Sequence, residues 1–457
     1  MAEKNKMIDG KENAKEETSD LNTKGPELVQ MIGDRLTSLI DQNHPGKSVI
    51  INGISGSQKS LAAASLLAKY NTAVIVVPTQ KDIFRWEENL KFFVPDARIF
   101  SFPVVEEAGF EGTFSSTERL RERMRSLSAM INGEKSIIIA AAVEAAQKIS
   151  APSSIKDHLY KFELGSEIER REVLEVLQDL GYERVDQVER SGHFSVRGDI
   201  VDIYPINEIH PVRIEFFGDE IDSIRLFDVD SQRSIETLES QSVFPVAVKG
   251  SKNSSVLSYL DHGIVFYDEP QRGEESLKQF FKEEKANADK AFLWSELIHT
   301  ARKQTNQEIV FSLLKRELEE FKPSVYHNWN GQEMTNYQRQ IPIFTADLKS
   351  LLNKNWKTAI VIPRASEKRE IEGILTDHQI PMSLDIEEGK VVLLDGVLTE
   401  GFELSDFNLA LITAGDILGR QKLRKYSTSG SRKQIRYFSD LNPGDYVVRQ
   451  VPWHTHD

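Results

Sequence analysis

Eight residues, Gly53-Ile54-Ser55-Gly56-Ser57-Gln58-Lys59-Ser60, follow the pattern of a loop that holds phosphate. In such a loop the first glycine permits a tight turn, and a glycine at the sixth position lets backbone N–H groups close on the phosphate oxygens. The lysine supplies charge, and the final hydroxyl ligates magnesium. Gly53, Lys59 and Ser60 are in register with that pattern, but the sixth position is Gln58, so a side chain stands in the cradle. Related chemistry recurs at Ile264-Val265-Phe266-Tyr267-Asp268-Glu269, an apolar strand ending in an acidic pair. That form binds magnesium and orients water in nucleotide hydrolases. Pro270 follows at once and is expected to distort the start of the catalytic segment. A Q-x-x-G-R-x-x-R pattern, by which a second helicase lobe would reach the γ-phosphate, is absent from the sequence. The two segments together imply an ATPase-type fold whose nucleotide positions, Gly53, Lys59, Ser60, Asp268 and Glu269, are vestigial. The expectation is a protein with no catalytic residues and no cofactor, with ATP and magnesium entering only if the degenerate loop retains binding. The alternative is an ATP-dependent DNA helicase or translocase-type ATPase with weak nucleotide binding at that loop.

A third group belongs to a surface. Val212-Arg213-Ile214-Glu215-Phe216-Phe217 alternates, so Val212, Ile214 and Phe216 face a core while Arg213, Glu215 and Phe217 share the opposite side. A large aromatic ring among charges is costly unless something covers it. Phe194-Ser195-Val196-Arg197 divides in the same way, with Arg197 on the polar side. Arginines and a phenylalanine on one sheet face have the composition of a protein–protein hot spot. The plainer alternative packs Phe217 under a loop and pairs the arginines with nearby acids such as Glu215 or Asp219.

These residues need a frame, and the hydrophobic pattern supplies one. From Pro26 onward, Leu28, Ile32, Leu36, Leu39 and Ile40 fall at helical spacing. Apolar strands at 48–52, 73–77, 98–102 and 136–140 then alternate with helices at 61–69, 82–93, 117–131 and 142–148. Strands that are apolar throughout, interleaved with helices, imply a parallel sheet covered on both faces. After Pro152 the texture changes to a charged helix at 166–180 and short alternating strands at 194–197, 200–204, 212–217 and 223–228, punctuated by Gly198-Asp199 and Gly218-Asp219. Parallel-type texture resumes at 263–267, followed by helical stretches at 274–281 and 309–321, and by strands at 358–362, 390–394 and 408–413. The expected fold class is α/β: a RecA/helicase-like parallel-sheet domain split by an α+β insert, followed by a small α/β domain. The divisions are a disordered leader at 1–25, a split degenerate phosphate-loop domain at 26–152 and 248–344, the insert at 153–247, and the small α/β domain at 345–419. Residues 420–436 hold seven cationic side chains and no acid, and read as a solvated basic linker before a last segment at 437–457.

Composition narrows the function classes. The 457 residues contain no cysteine, which removes disulfide frameworks, iron–sulfur clusters, thiolate zinc sites and cysteine nucleophiles, and fits a reducing compartment. No apolar run approaches the ~18 residues that a membrane span needs, and the polar N-terminus has no secretory apolar core. The expectation is therefore a cytoplasmic protein without a membrane partner. A net charge of −14 argues against a globally basic nucleic-acid coat. His454 and His456 read as part of an unstructured tail, and no metal site is expected.

The run from Phe194 to Pro205 (FSVRGDIVDIYP), with Pro211 to Arg225 (PVRIEFFGDEIDSIR) and Phe227 to Ser234 (FDVDSQRS), resembles the UvrB-type interaction domain. It is most similar to the version carried by transcription-repair coupling factors. The Gln58-interrupted loop and the Tyr267-Asp268-Glu269-Pro270 segment also resemble the coupling factors, in which this fold has lost its ATPase, and not UvrB, whose loop is intact. The resemblance covers about residues 26–448. It implies a module that mimics UvrB and recruits UvrA, the damage-recognition subunit of nucleotide excision repair. The family's UvrA-contacting residues, two arginines and a phenylalanine, fall on Arg197, Arg213 and Phe217. Residues 437–448 resemble the first strand of the family's RNA-polymerase-interacting, CarD-like domain, after which the sequence departs from the pattern. Contacts with RNA polymerase and with DNA are implied only through family regions largely missing from this sequence. The expected function is thus an N-terminal, UvrA-recruiting module of a coupling factor, acting on DNA damage without its own ATPase or translocase activity.

Overall fold

The computed structural model describes residues 24–41, 48–67, 69–103, 114–246, 252–283 and 289–419. The leader apart from its last two residues, the basic linker, the segment at 437–457 and both tail histidines lie outside the described residues. Among the described residues no helix is long and apolar enough to cross a membrane.

Seven parallel strands form the central sheet, in the order Ser324–Asn328, Ser48–Asn52, Thr305–Ser312, Gly263–Asp268, Thr72–Val77, Ser136–Ala141 and Arg98–Ser101. The two-residue period sorts each strand between two cores. Val49, Ile51, Ala73, Ile75, Phe266 and Phe311 face helices Gly25–Asp41, Ser57–Leu67 and Gln80–Phe93. Ile50, Val74, Val76, Val265, Tyr267 and Val310 face helices Phe114–Ile131, Pro270–Glu283 and Trp294–Arg302. Because both faces are covered, the strands carry no polar side to betray them, and this accounts for one misreading. Residues 309–321, expected to be helical, begin inside the strand Thr305–Ser312, which pairs on both edges and lies between the two strands of nucleotide-site character. A short continuous apolar run such as Ile309-Val310-Phe311 does not distinguish a buried strand from a buried helix.

Residues 160–243 build an antiparallel insert. Its sheet runs Ser234–Leu238, Glu220–Phe227, Val212–Phe217, Ile200–Ile203, His193–Arg197 and Glu183–Arg184, all neighbours antiparallel except the last pair. The inner face, Phe194, Val201, Ile203, Val212, Ile214 and Phe216, buries against Val173 and Leu177 of helix Arg170–Asp179.

A third sheet is ordered Gly331–Glu333, Phe402–Leu404, Leu409–Thr413, Lys357–Ile362, Val391–Asp395 and Met382–Ser383. It starts ahead of the expected boundary at 345, since Gly331–Glu333 pairs antiparallel with Phe402–Leu404. One face (Ile360, Ile362, Val391, Ala410 and Ile412) packs on helices Ile341–Asn353 and Ala365–Asp377. The other, with Ala359, Val361, Val392, Leu394 and Leu411, shares a core with Trp86, Leu90, Phe92 and Phe93 of the first sheet's helical layer. The third layer is therefore fused to the side of the molecule that carries the phosphate-type loop.

Candidate functional site

Strand Ser48–Asn52 delivers Gly53 into a left-handed turn (φ +80°), where its N–H donates to the Ser312 carbonyl at 2.9 Å. Gly56 (φ +51°) completes the loop and helix Ser57–Leu67 begins. Lys59 points back to the end of strand Gly263–Asp268, with Nζ 2.6 Å from Asp268 Oδ1 and 2.8 Å from Glu269 Oε1. Trp86 Nε1 donates to the other Asp268 oxygen at 2.9 Å, and the Leu313 N–H donates to Glu269 Oε1 at 2.8 Å. Burial opposes the charge on Lys59, but the charges and hydrogen bonds of Asp268 and Glu269 outweigh it and hold its pKa above the usual lysine value. Pro270 is the first residue of helix Pro270–Glu283, a position where a missing N–H costs nothing, and local strain falls on Glu269 at φ +44°. Ser60 is buried, its hydroxyl 3.4 Å from Asn89 Nδ2.

The five expected nucleotide-site residues are thus brought together, with Lys59 committed to Asp268 and Glu269, Gly53 bonded to Ser312 and Ser60 to Asn89. Gln58 is 1% exposed and its Oε1 accepts from Trp329 Nε1 at 2.7 Å. Glu400, from the third layer, lies against Gly56, where a Cβ would overlap its carboxylate. The surrounding cleft, about 460 Å³, is lined by six carboxylate and four cationic side chains. In this arrangement the Lys59 charge is taken up by two acids and Glu400 stands against the loop, so the residues present fit a polyphosphate poorly.

The second site lies on the outer face of the insert. Strands His193–Arg197 and Val212–Phe217 flank Ile200–Ile203, and the register sets Asp202 directly opposite both Ser195 and Arg213. Asp202 is 1% exposed yet holds two guanidinium groups. Arg213 donates Nε and Nη2 to its two oxygens at 2.7 and 2.9 Å, and Arg197 donates Nη2 to Oδ2 at 2.8 Å. Gln232 Oε1 accepts a further bond from Arg213 at 3.1 Å, and the buried Phe227 ring lies under the guanidinium with its centroid 4.5 Å away. Asp202 raises the Arg213 pKa above its ordinary value, chiefly through these hydrogen bonds. Phe217 is 81% exposed at the end of its strand, beside the turn Gly218-Asp219. It does not pack under a loop. The arginines pair with an acid as the plainer reading held, but with Asp202 and not with Glu215 or Asp219; Glu215 instead takes Arg225 and Ser223. Asp202 went unnamed in the sequence, although its position opposite Arg213 in an alternating hairpin is a legible signal.

Residues 160–248 match the UvrB interaction domain family, and Arg197, Arg213 and Phe217 fall inside that match. Over 91% of its length the chain is 25% identical to the transcription-repair-coupling factor of Bacillus subtilis, covering 42% of that protein. It is 26% identical to the factor of Staphylococcus epidermidis, over 90% of this chain and 42% of the relative. The chain spans less than half the length of these relatives, and its similarity is to their N-terminal part. Among solved structures, a DEAD box protein from Methanococcus jannaschii is 8% identical with a TM-score of 0.29, covering 85% of this chain and 91% of that one.

Proposed function

We propose that this chain is a UvrA-recruiting module of transcription-coupled nucleotide excision repair, working as a binding surface without ATPase or translocase activity of its own. The observation that carries the reading is Phe217, an aromatic ring left 81% exposed at the end of the strand that carries Arg213, one of two arginines that a buried carboxylate holds in place. Burying such a ring against a partner is worth about 1.5–3 kcal/mol. The arginines add charge-assisted hydrogen bonds to carboxylates of the partner. Arg197 and Arg213 share one acid, so the trio keeps one positive charge and favours an acidic patch bordering an apolar pocket. Holding both side chains before contact reduces the rotamer entropy lost on binding, by about 0.5–1.5 kcal/mol for each immobilised side chain. Lys59, locked to Asp268 and Glu269, supports the absence of hydrolysis.

Retention of UvrA by the immobilised chain tests the proposal. Phe217→Ala and Arg213→Ala are each expected to reduce retention about tenfold or more, as hot-spot truncations do. Retention by the double variant equal to that of the unaltered chain would sink the reading.

A further inference from the structure

The residue that spoils the phosphate loop is also bonded to Trp329, where the chain passes from the central sheet into the third layer. We infer that the loop has been converted into an internal socket, in which Gln58, Ser57 and Asn89 hold the third α/β layer and Glu400 occupies the face of the loop that a phosphate would need. Two segments enter this socket. The first carries Trp329, whose Nε1 donates to Gln58 Oε1 at 2.7 Å and whose N–H donates to the Asn52 carbonyl at 2.7 Å. The second carries Thr399 and Glu400. The Thr399 N–H donates to Asn89 Oδ1 at 2.9 Å, Thr399 Oγ1 lies 3.2 Å from Ser57 Oγ, and the Glu400 N–H donates to Ser57 Oγ at 3.1 Å. Ser57, Gln58 and Asn89 are all 2% exposed or less, so each bond has one partner in the interior and one at the half-buried seam.

Close approach supports the same conclusion from both sides. A Cβ on Gly331 would overlap the Gln58 amide oxygen, one on Gly56 would overlap Glu400, and one on Gly396 would press into the Phe92 ring. Three glycines thus stand where the two layers approach closely. Arg85 lies 3.7 Å from the Glu400 carboxylate and answers its charge from the rim. The position that rejects a nucleotide and the position that fastens the third layer are one and the same. This inference does not depend on the partner face, and the UvrA retention assay leaves it untouched.

Hydrogen exchange on the full chain, read segment by segment, provides the test. Gln58→Ala removes the acceptor for Trp329 only. If the socket opens as one unit, exchange at 329–331 and also at 399–401 rises about tenfold, while the central-sheet amides of 49–51 and 264–267 keep their rates. Asn89→Ala, altered on the opposite side, is expected to speed exchange at 329–331 as well as at 399–401. Magnesium pyrophosphate added to the unaltered chain should leave exchange at 54–60 unchanged. A response confined to the segment next to each substitution, or slower exchange at 54–60 in pyrophosphate, would overturn the inference.

Discussion

Asp202 and Phe217 lie on neighbouring strands of the insert, but they answer to different forces. Asp202 is buried and holds three hydrogen bonds from two arginines, so Asp202→Asn leaves two guanidinium groups short of an anion. We expect that change to destabilise the chain by about 1–3 kcal/mol in urea denaturation, and to weaken UvrA retention as the arginines lose their fixed geometry. Phe217 is mostly in water, so Phe217→Ala should shift stability by less than about 0.5 kcal/mol while retention falls. A large stability loss from Phe217→Ala would mean that its ring supports the fold. At this scale the sequence was informative wherever alternation separates a core face from a polar one, which is how Arg197, Arg213 and Phe217 stood out. It was mute about Gln58 and Trp329, which are 271 positions apart and meet only through the assembled layers.

The hairpin between Val212–Phe217 and Glu220–Phe227 turns through Gly218-Asp219, with Gly218 at φ +66° and open space where a Cβ would go. Substitution there strains the backbone without a clash, and Gly218→Ala should cost about 1–2 kcal/mol. It should also weaken UvrA retention by moving the adjacent Phe217. Gly133, at φ +68° and equally open, lies outside the insert and serves as the control. Gly133→Ala should cost a similar amount in urea denaturation and leave retention unchanged. Equal effects of the two on retention would separate the turn from the face. Elements were legible where local pattern decides them. Strands Ser48–Asn52 and Val212–Phe217 fall at their expected bounds, whereas Ser324–Asn328, Gly331–Glu333 and Phe402–Leu404 did not appear in the sequence. Those three are short or half-polar, and pairing with distant strands makes them what they are. The strand Thr305–Ser312 shows the converse, an apolar run whose partners, more than its period, select its conformation.

Across the molecule, the three larger sheets differ in independence. The insert closes most of its apolar surface within itself, around Phe194, Val201, Val212, Ile214 and Val173, and reaches the central sheet's core through Ile206 and Phe244. A fragment of residues 153–247 is therefore expected to fold alone and to retain UvrA through the same face. The third layer has no such closure, since Ala359, Val361, Val392, Leu394 and Leu411 are buried against the helices of the first. Residues 329–419 alone should bind a hydrophobic dye and lack dispersed amide resonances. A well-dispersed spectrum from that fragment would contradict the shared core.

The seat of Glu400 against Gly56 bears on any attempt to rebuild the phosphate loop. Restoring glycine at position 58 would return the phosphate pattern on paper, yet Glu400 would still lie over the loop, Lys59 would still be held by two acids, and the Trp329 indole would lose its acceptor. Loop and layer bear on each other like an arch and its keystone, so glycine at position 58 would disturb the layer packing without freeing Lys59 or displacing Glu400. Rebuilding a phosphate cradle here would therefore take changes at Glu400 and around Lys59 as well as at position 58.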